Sequence, residues 1–293
     1  MLKSILFWGS IIVLVLFILA LIILNIMASV FNSPDYAIKE YFTDLNTPHE
    51  IHRIKFEGKD LRYIETGVQS DTVPLLLFIH GAPGTWDAFK QYLADYDLKN
   101  KFRLVSMDRL GYGGSHFKDS EKSIEKHGEA ALKVLDQYNN QEVYVVSHSY
   151  GGPISAVMAS LAPDKISGLI MCAPVNDPAS EPLALYARIA NWKISRAVLP
   201  PFVDVATDEK MSHRQALMDI NKHWSNIQCP VLHYHGANDS LAPFKGNIEF
   251  SKKNIDPRLL KLVTDDEGGH LLIWFKAATF KSLILDFINQ NKN

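Results

Sequence analysis

Residues 143–153 read Val-Tyr-Val-Val-Ser-His-Ser-Tyr-Gly-Gly-Pro. Val143–Val146 has the apolar, β-branched character of a short strand covered on both faces. Pro153 suits the first turn of a helix, where its missing N–H leaves no hydrogen bond unmade. Between strand and helix stands Ser147-His148-Ser149-Tyr150-Gly151, a small-x-Ser-x-Gly pattern. In that context the turn is sharp and strained, and it drives the Ser149 hydroxyl up above the sheet edge. The backbone N–H of Tyr150 then points at the same place. Ser147 stands where glycine is usual, and it is still small enough for strand and helix to close in. An ordinary tight turn carrying a serine has the same short pattern, so the surroundings and the partners decide the reading.

Outward from this turn, short apolar runs alternate with amphipathic stretches. Ile51–Phe56 and Leu61–Glu65 read as paired strands, followed by Pro74–His80, Phe102–Met107, Val143–Ser147, Gly168–Cys172, Val231–Tyr234 and Leu259–Val263. Helical patterns fall at Trp86–Tyr96, Ser120–Tyr138, Pro153–Ala162, Phe244–Lys252 and Leu271–Asn289. This order predicts a mostly parallel sheet wrapped by helices, with every parallel strand's C-terminal end on one edge. The interval between Cys172 and Val231 is too long for an unstructured loop. Leu183, Tyr186, Ile189 (or Ala190) and Ile194 have near-helical spacing over Leu183–Val198, and Asp208–Trp224 can form a second helix. Residues 176–226 are therefore read as a small helical cap over the site.

A serine hydroxyl is a weak nucleophile and needs a base, which in turn needs an orienting acid. His270, in Glu267-Gly268-Gly269-His270, follows the last strand and is the expected base. Asp239, in the loop after Val231–Tyr234, is the expected acid. Asp177, just past the strand ending at Cys172, is the alternative acid. His233 and His235 lie in or at the end of a strand and lack a suitable loop. His148 is expected to point away from Ser149, as packing or as a supporting contact behind the site, and Asp265 and Asp266 to form a solvated loop. An oxyanion intermediate needs two N–H donors. Tyr150 supplies one, and Ala82, in His80-Gly81-Ala82-Pro83-Gly84, is the expected second.

These residues resemble the α/β-hydrolase superfamily, in the serine-nucleophile branch that carries an H-G-x-P-G oxyanion loop. The resemblance runs from about residue 51 to the end of the chain. It rests on His80–Gly84, the Asp108-Arg109-Leu110-Gly111-Tyr112-Gly113-Gly114-Ser115 stretch, Ser149, Asp239 and His270. It implies an α/β-hydrolase fold with an eight-stranded, mostly parallel sheet flanked by helices, a helical cap, and a hydrolase without cofactor or metal. The Asp108–Ser115 stretch is carried over in a structural sense only. Haloalkane dehalogenases and epoxide hydrolases of this superfamily place an aspartate at the nucleophile, whereas this chain has Ser149. Trp86 is expected to line the pocket.

The chain has 293 residues, 47% hydrophobic and 21% charged, which fits one α/β domain with an insertion and argues against extensive disorder. Thirty basic against 32 acidic residues leave no excess charge for nucleic acid. Two cysteines, Cys172 and Cys229, cannot build a disulfide scaffold and are expected at opposite edges of the sheet. Mean hydropathy near zero rules out a multispan membrane protein but not one span. Ile5–Leu24 carries no charge, and a helix of that length reaches roughly 30 Å, the thickness of a bilayer core. Residues 1–30 are read as a retained membrane anchor, 31–50 as a polar tether and 51–293 as the catalytic domain. A cleaved secretory signal is the alternative, although the apolar run is long for one and lacks an A-x-A-like site. Lys3 before the span, and only Lys39 soon after it, place the domain on the non-cytoplasmic side.

The combined expectation is a membrane-anchored serine hydrolase cleaving a carboxylic ester through an acyl-enzyme. Its substrate is expected to be a small molecule, and the anchor suggests a lipid-derived one; Leu183, Leu185, Tyr186 and Trp192 are read first as packing the cap onto the domain, with facing such a substrate as their alternative role. The same triad also serves a proline iminopeptidase-like aminopeptidase, with Glu181, Asp204, Asp208 and Glu209 gripping the amine, or a C–C bond hydrolase. A non-catalytic binding protein on the same fold is the reading from a different class. The sequence leaves the oligomeric state open.

Overall fold

The computed structural model describes residues 2–139, 142–181 and 185–292. Eight strands form one sheet: β1 (His49–Phe56), β2 (Lys59–Gly67), β3 (Leu75–Ile79), β4 (Arg103–Met107), β5 (Val143–His148), β6 (Gly168–Cys172), β7 (Val231–Gly236) and β8 (Leu260–Asp265). Their order is β1-β2-β4-β3-β5-β6-β7-β8, with β1–β2 and β2–β4 antiparallel and every other pairing parallel. The central strands β3, β5, β6 and β7 are buried along their whole length, which explains their unbroken apolar runs. The edge strands β1 and β8 alternate exposed with partly buried residues, as one-sided strands do.

Helices cover both faces and divide the core in two. One face packs Ile124–Leu135 and Gly151–Leu161 against the sheet, and includes Cys229. The other packs the segments near 38–42, 86–98 and 272–288, and includes Cys172. The expected helix at 86–96 is broken. Asp95 is extended and its carboxylate caps the N–H groups of Asp97 and Leu98, which starts a new short helix at Tyr96.

Residues 31–50 are not a free tether. Asp35–Asp44 is a helix whose Ile38 and Phe42 are fully buried, a pair one helical turn apart that forms a docking face. It follows a helix over Leu2–Asn32 whose window Leu6–Ile23 has mean hydropathy 3.1 and is long and apolar enough to cross a membrane. The junction between the two helices is held by buried groups. Ser33 accepts Arg62 Nη1 on its carbonyl at 2.7 Å and Trp86 Nε1 on its hydroxyl at 2.7 Å. Asp35 takes both Arg53 amines and Arg62. Trp86 thus lies under this junction, its ring tilted against Phe42 at 5.4 Å, and does not line the pocket.

The cap between β6 and β7 contains helices Leu185–Ala190, Lys193–Val198, Pro201–Asp219 and Asn221–Trp224. The third begins at Pro201 rather than near Asp208, because proline is well suited to a first helical position. Leu183, named above as a cap residue, lies outside the described residues.

Candidate active site

Parallel pairing sets Ser147 beside Ile79 and Cys172 beside His148, so the segments leaving β3, β5 and β6 emerge side by side. Ser149 occupies the left-handed region at φ +54°, a conformation that costs a non-glycine residue about 1–3 kcal/mol. Its backbone is tied on both sides: its N–H donates to the Cys172 carbonyl at 3.1 Å, and its carbonyl accepts from Gly152 and Val175. Gly151 admits the close approach, since a Cβ there would meet the Ile79 carbonyl oxygen at 2.3 Å.

The loops after β7 and β8 are hydrogen-bonded to one another, Ala237 N–H to Asp265 and Asn238 N–H to Gly268. They carry Asp239 and His270 to the Ser149 side of the sheet. His270 Nε2 lies 2.9 Å from Ser149 Oγ, and His270 Nδ1 lies 2.8 Å from Asp239 Oδ2. A carboxylate only accepts, so Nδ1 carries the proton and Nε2 is left to accept from the serine. Burial alone would raise the Asp239 pKa. Hydrogen bonds from His235, His270 and the Ala242 N–H outweigh it and hold the carboxyl well below the usual range.

Asp177 is not near this relay. Its carboxylate accepts the Ala179 N–H at 2.9 Å and the Ser180 hydroxyl at 2.5 Å, capping a turn at the base of the cap. Ala82 and Tyr150 line the same cavity as Ser149, and among the described residues neither backbone N–H is used by a protein acceptor. His148 supports the base from behind rather than bonding Ser149. Its Nε2 donates to the His270 carbonyl at 2.9 Å, and its ring sits 4.8 Å from the His270 ring. Burial, reinforced by His270, pushes the His148 imidazole down to about 3, so it is a neutral brace.

With this geometry in place, the comparisons with known proteins are specific. A family model described as the alpha/beta hydrolase fold matches residues 74–195, a stretch that spans β3, the Ser149 turn and part of the cap. The chain belongs to the α/β-hydrolase superfamily. It is 32% identical over 124 residues to Epoxide hydrolase 1 of Caenorhabditis elegans, a match covering 41% of this chain and 29% of that protein. The match thus spans about a third of that relative's length. Among solved structures, the α/β hydrolase MGS-M2 from a deep-sea metagenome library superimposes with TM-score 0.70 at 16% identity, covering 83% of this chain and 98% of that one. A bacterial membrane phospholipase A superimposes with TM-score 0.64 at 14% identity over 99% of both chains.

The α/β-hydrolase core meets its cap at a buried ion pair that sequence reading did not find. Arg109 donates to Glu209 at 2.6 and 3.1 Å, and Tyr112 donates to the same carboxylate at 2.6 Å. All three side chains are buried. Burial opposes the Glu209 charge, but Arg109 and His127 outweigh it and bring the pKa down to about 2. Arg109 also lies 4.7 Å from the centre of the Tyr150 ring, and His213 from the cap stacks on the same ring at 4.4 Å. Cap position and the residue after the nucleophile are therefore mechanically linked. The only sequence signal was the Asp108-Arg109 pair, whose partner lies a hundred residues on in a helix of uncertain register.

Beneath the cap lies a cavity of about 820 Å³, reaching Ser149 and His270. Its walls are mainly apolar, with Ala88, Val175, Phe202, Val203 and Ala206 among them. Its polar end holds Glu181, which accepts from Lys210 and His213. Burial opposes the Glu181 charge, and these two partners lower its pKa nonetheless.

Proposed function

We propose that the protein is a serine hydrolase that cleaves carboxylic esters through an acyl-enzyme. The observation that carries this reading is the Ser149–His270–Asp239 relay, at 2.9 and 2.8 Å, at one end of a large apolar cavity. Ser149 Oγ attacks the ester carbonyl while His270 Nε2 takes its proton. The Ala82 and Tyr150 N–H groups hold the oxyanion. The tetrahedral intermediate collapses, and His270 returns the proton to the departing alkoxide. Water, deprotonated by His270, then releases the acid and restores Ser149. Asp239 keeps His270 in the required tautomer and stabilises its cation.

The likeness to an epoxide hydrolase supports a second reading, which the nucleophile argues against. A carboxylate that opens an epoxide leaves an ester, which water can cleave. A serine that opens one leaves an ether, which a histidine-activated water does not cleave, so the cycle stops after one turnover. The aminopeptidase reading also loses support. Glu209 is engaged by Arg109, Glu181 by Lys210 and His213, and Asp208 by Arg196 and Ser120, while Asp204 faces Arg196. The two of these acids that line the cavity, Glu181 and Glu209, are thus already held by cations, and Asp204, whose Oδ1 makes no hydrogen bond, does not line it.

The proposed location is a membrane, through the one apolar N-terminal helix, with the domain on the non-cytoplasmic side. Protease added to intact cells should cut the domain; protection until lysis would reverse the orientation. For the activity, nitrophenyl esters of increasing acyl length and a prolyl anilide should be offered to the full chain and its Ser149→Ala variant. Ester turnover lost in the variant supports the proposal. Turnover of the anilide alone would replace it with an aminopeptidase.

A further inference from the structure

Outside the N-terminal helix, exposed large apolar side chains concentrate around the mouth of the cavity. On the cap, Leu185, Trp192 and Ile194 are 72%, 63% and 79% exposed. Tyr186, 65% exposed, also lines the cavity. Across the opening, Leu241, Leu271 and Trp274 are 59%, 41% and 41% exposed and line it too. A soluble surface rarely gathers so much apolar area in one place.

Two further observations identify what covers it. The cap stretch 185–203 carries no acidic residue; its Arg196 is held by Asp208 and Asp204 of the next helix, while Arg188 and Lys193 give this face the positive charge that an anionic lipid surface attracts. The cap helix Pro201–Asp219 also packs against the N-terminal helix, none of whose residues Leu6–Ile23 is buried. Because the Ser33 junction is clamped by Arg62 and Trp86, that helix does not swing freely from the domain.

We infer that the cap face is a second membrane-contact surface, which seats the cavity mouth against anionic bilayer. Substrate then enters from the lipid phase without crossing water. The inference builds on the serine-hydrolase reading and names its substrate class: an ester of an acyl chain resident in the membrane. The clamped junction fixes the domain's tilt, and the basic cap helices meet the lipid headgroups. Leu185, Trp192 and Ile194 reach below the headgroups.

Cys172 and Cys229 are both buried, so a single introduced surface cysteine can be labelled selectively. An environment-sensitive fluorophore would be placed at Leu185→Cys, Ile194→Cys or Arg258→Cys in the full chain. Arg258 is 87% exposed and precedes β8, at the opposite edge of the sheet. In vesicles of phosphatidylcholine and phosphatidylglycerol carrying brominated acyl chains, probes at 185 and 194 should be quenched and the probe at 258 should not. Absence of quenching at 185 and 194 would overturn the inference. In parallel, Leu185→Ser, Trp192→Ser and Ile194→Ser combined should lower turnover of a vesicle-borne monoacylglycerol by about tenfold or more. Turnover of a soluble butyrate ester should stay unchanged. Equal turnover of the vesicle-borne ester would also count against membrane delivery. If the parent chain cleaved neither ester, the hydrolase reading would fail, while the quenching result would still decide whether this face meets lipid.

Discussion

His235 Nε2 lies 3.2 Å from Asp239 Oδ2 and 2.9 Å from the Ala242 carbonyl. A carbonyl only accepts, so Nε2 bears the proton and His235 donates to both. Its Nδ1 must then accept from His233 Nε2 at 2.9 Å, and His233 Nδ1 from the Ser251 hydroxyl at 3.0 Å. Ser251 in turn accepts from Asn176, where the chain leaves β6 toward the cap. The acid of the relay is thus set by a line of fixed tautomers running behind the sheet edge.

Replacing His235 by Phe should lower kcat on the order of 10- to 100-fold, since small misplacements of a relay group carry costs of that size. KM should change little. Gln places a donor near the Nε2 position, so His235→Gln should recover much of the loss. Steady-state kinetics of the two variants on one ester checks this. Equal kcat in the parent and both variants would show that Asp239 is held without His235.

The Arg109–Glu209 pair should anchor the cap. Removing one member of a buried pair typically costs about 3–5 kcal/mol, so Glu209→Gln should lower the unfolding free energy by that order. The Glu209 pKa is depressed in the fold, to about 2. Its stabilisation is therefore complete above the ordinary glutamate value and disappears as pH falls from about 4.5 to about 2. Urea unfolding across that window should show a steeper loss for the parent chain than for Glu209→Gln.

Acid should weaken the fold before Glu209 titrates. Burial lowers the pKa of His80, His127, His148 and His233, so each stays neutral in the fold while its unfolded counterpart takes a proton near pH 6.5. The unfolded state then binds more protons, and stability must fall as pH drops through that value. Each such group contributes about 1.4 kcal/mol per pH unit below it. Unfolding midpoints recorded from pH 7.5 to pH 5 should decline steadily, and a flat profile would contradict the neutral, buried state of these rings.

The Ser149 turn should not tolerate a side chain at position 151. A Cβ placed 2.3 Å from the Ile79 carbonyl forces helix and strand apart. Gly151→Val should abolish ester turnover and lower the melting temperature, as read by activity and circular dichroism on the same preparation. Retained turnover would mean that the close approach is not required for catalysis.

How far the sequence reached depends on whether the signal was local. The eight strands, the Ser149 turn and the loops bearing Asp239 and His270 each announce themselves within about ten residues, through β-branched runs, small residues and paired glycines. The choice of Asp239 over Asp177 followed from loop position, and the hydrogen bonds of each explain it. Interactions between distant segments were not legible. Trp86 looked like a pocket residue because it resembles the tryptophan of the dehalogenase loop, yet its indole serves Ser33, more than fifty residues upstream. Residues 31–50 looked polar because only Ile38 and Phe42 mark the buried face of their helix. For His148 the strand period foretells a supporting role, but its partner, the His270 carbonyl, comes from a loop too distant in sequence to be named.

The central claim is that Ser149 forms the covalent intermediate. The most direct measurement is intact-mass and peptide mapping of the full chain after reaction with a fluorophosphonate, alongside the Ser149→Ala variant and a nitrophenyl ester burst assay. The account predicts one adduct per chain, mapped to Ser149, no adduct in the variant, and a burst of nitrophenol that disappears with the serine. A folded Ser149→Ala protein that still hydrolyses the ester, or an adduct mapped to another residue, would contradict it.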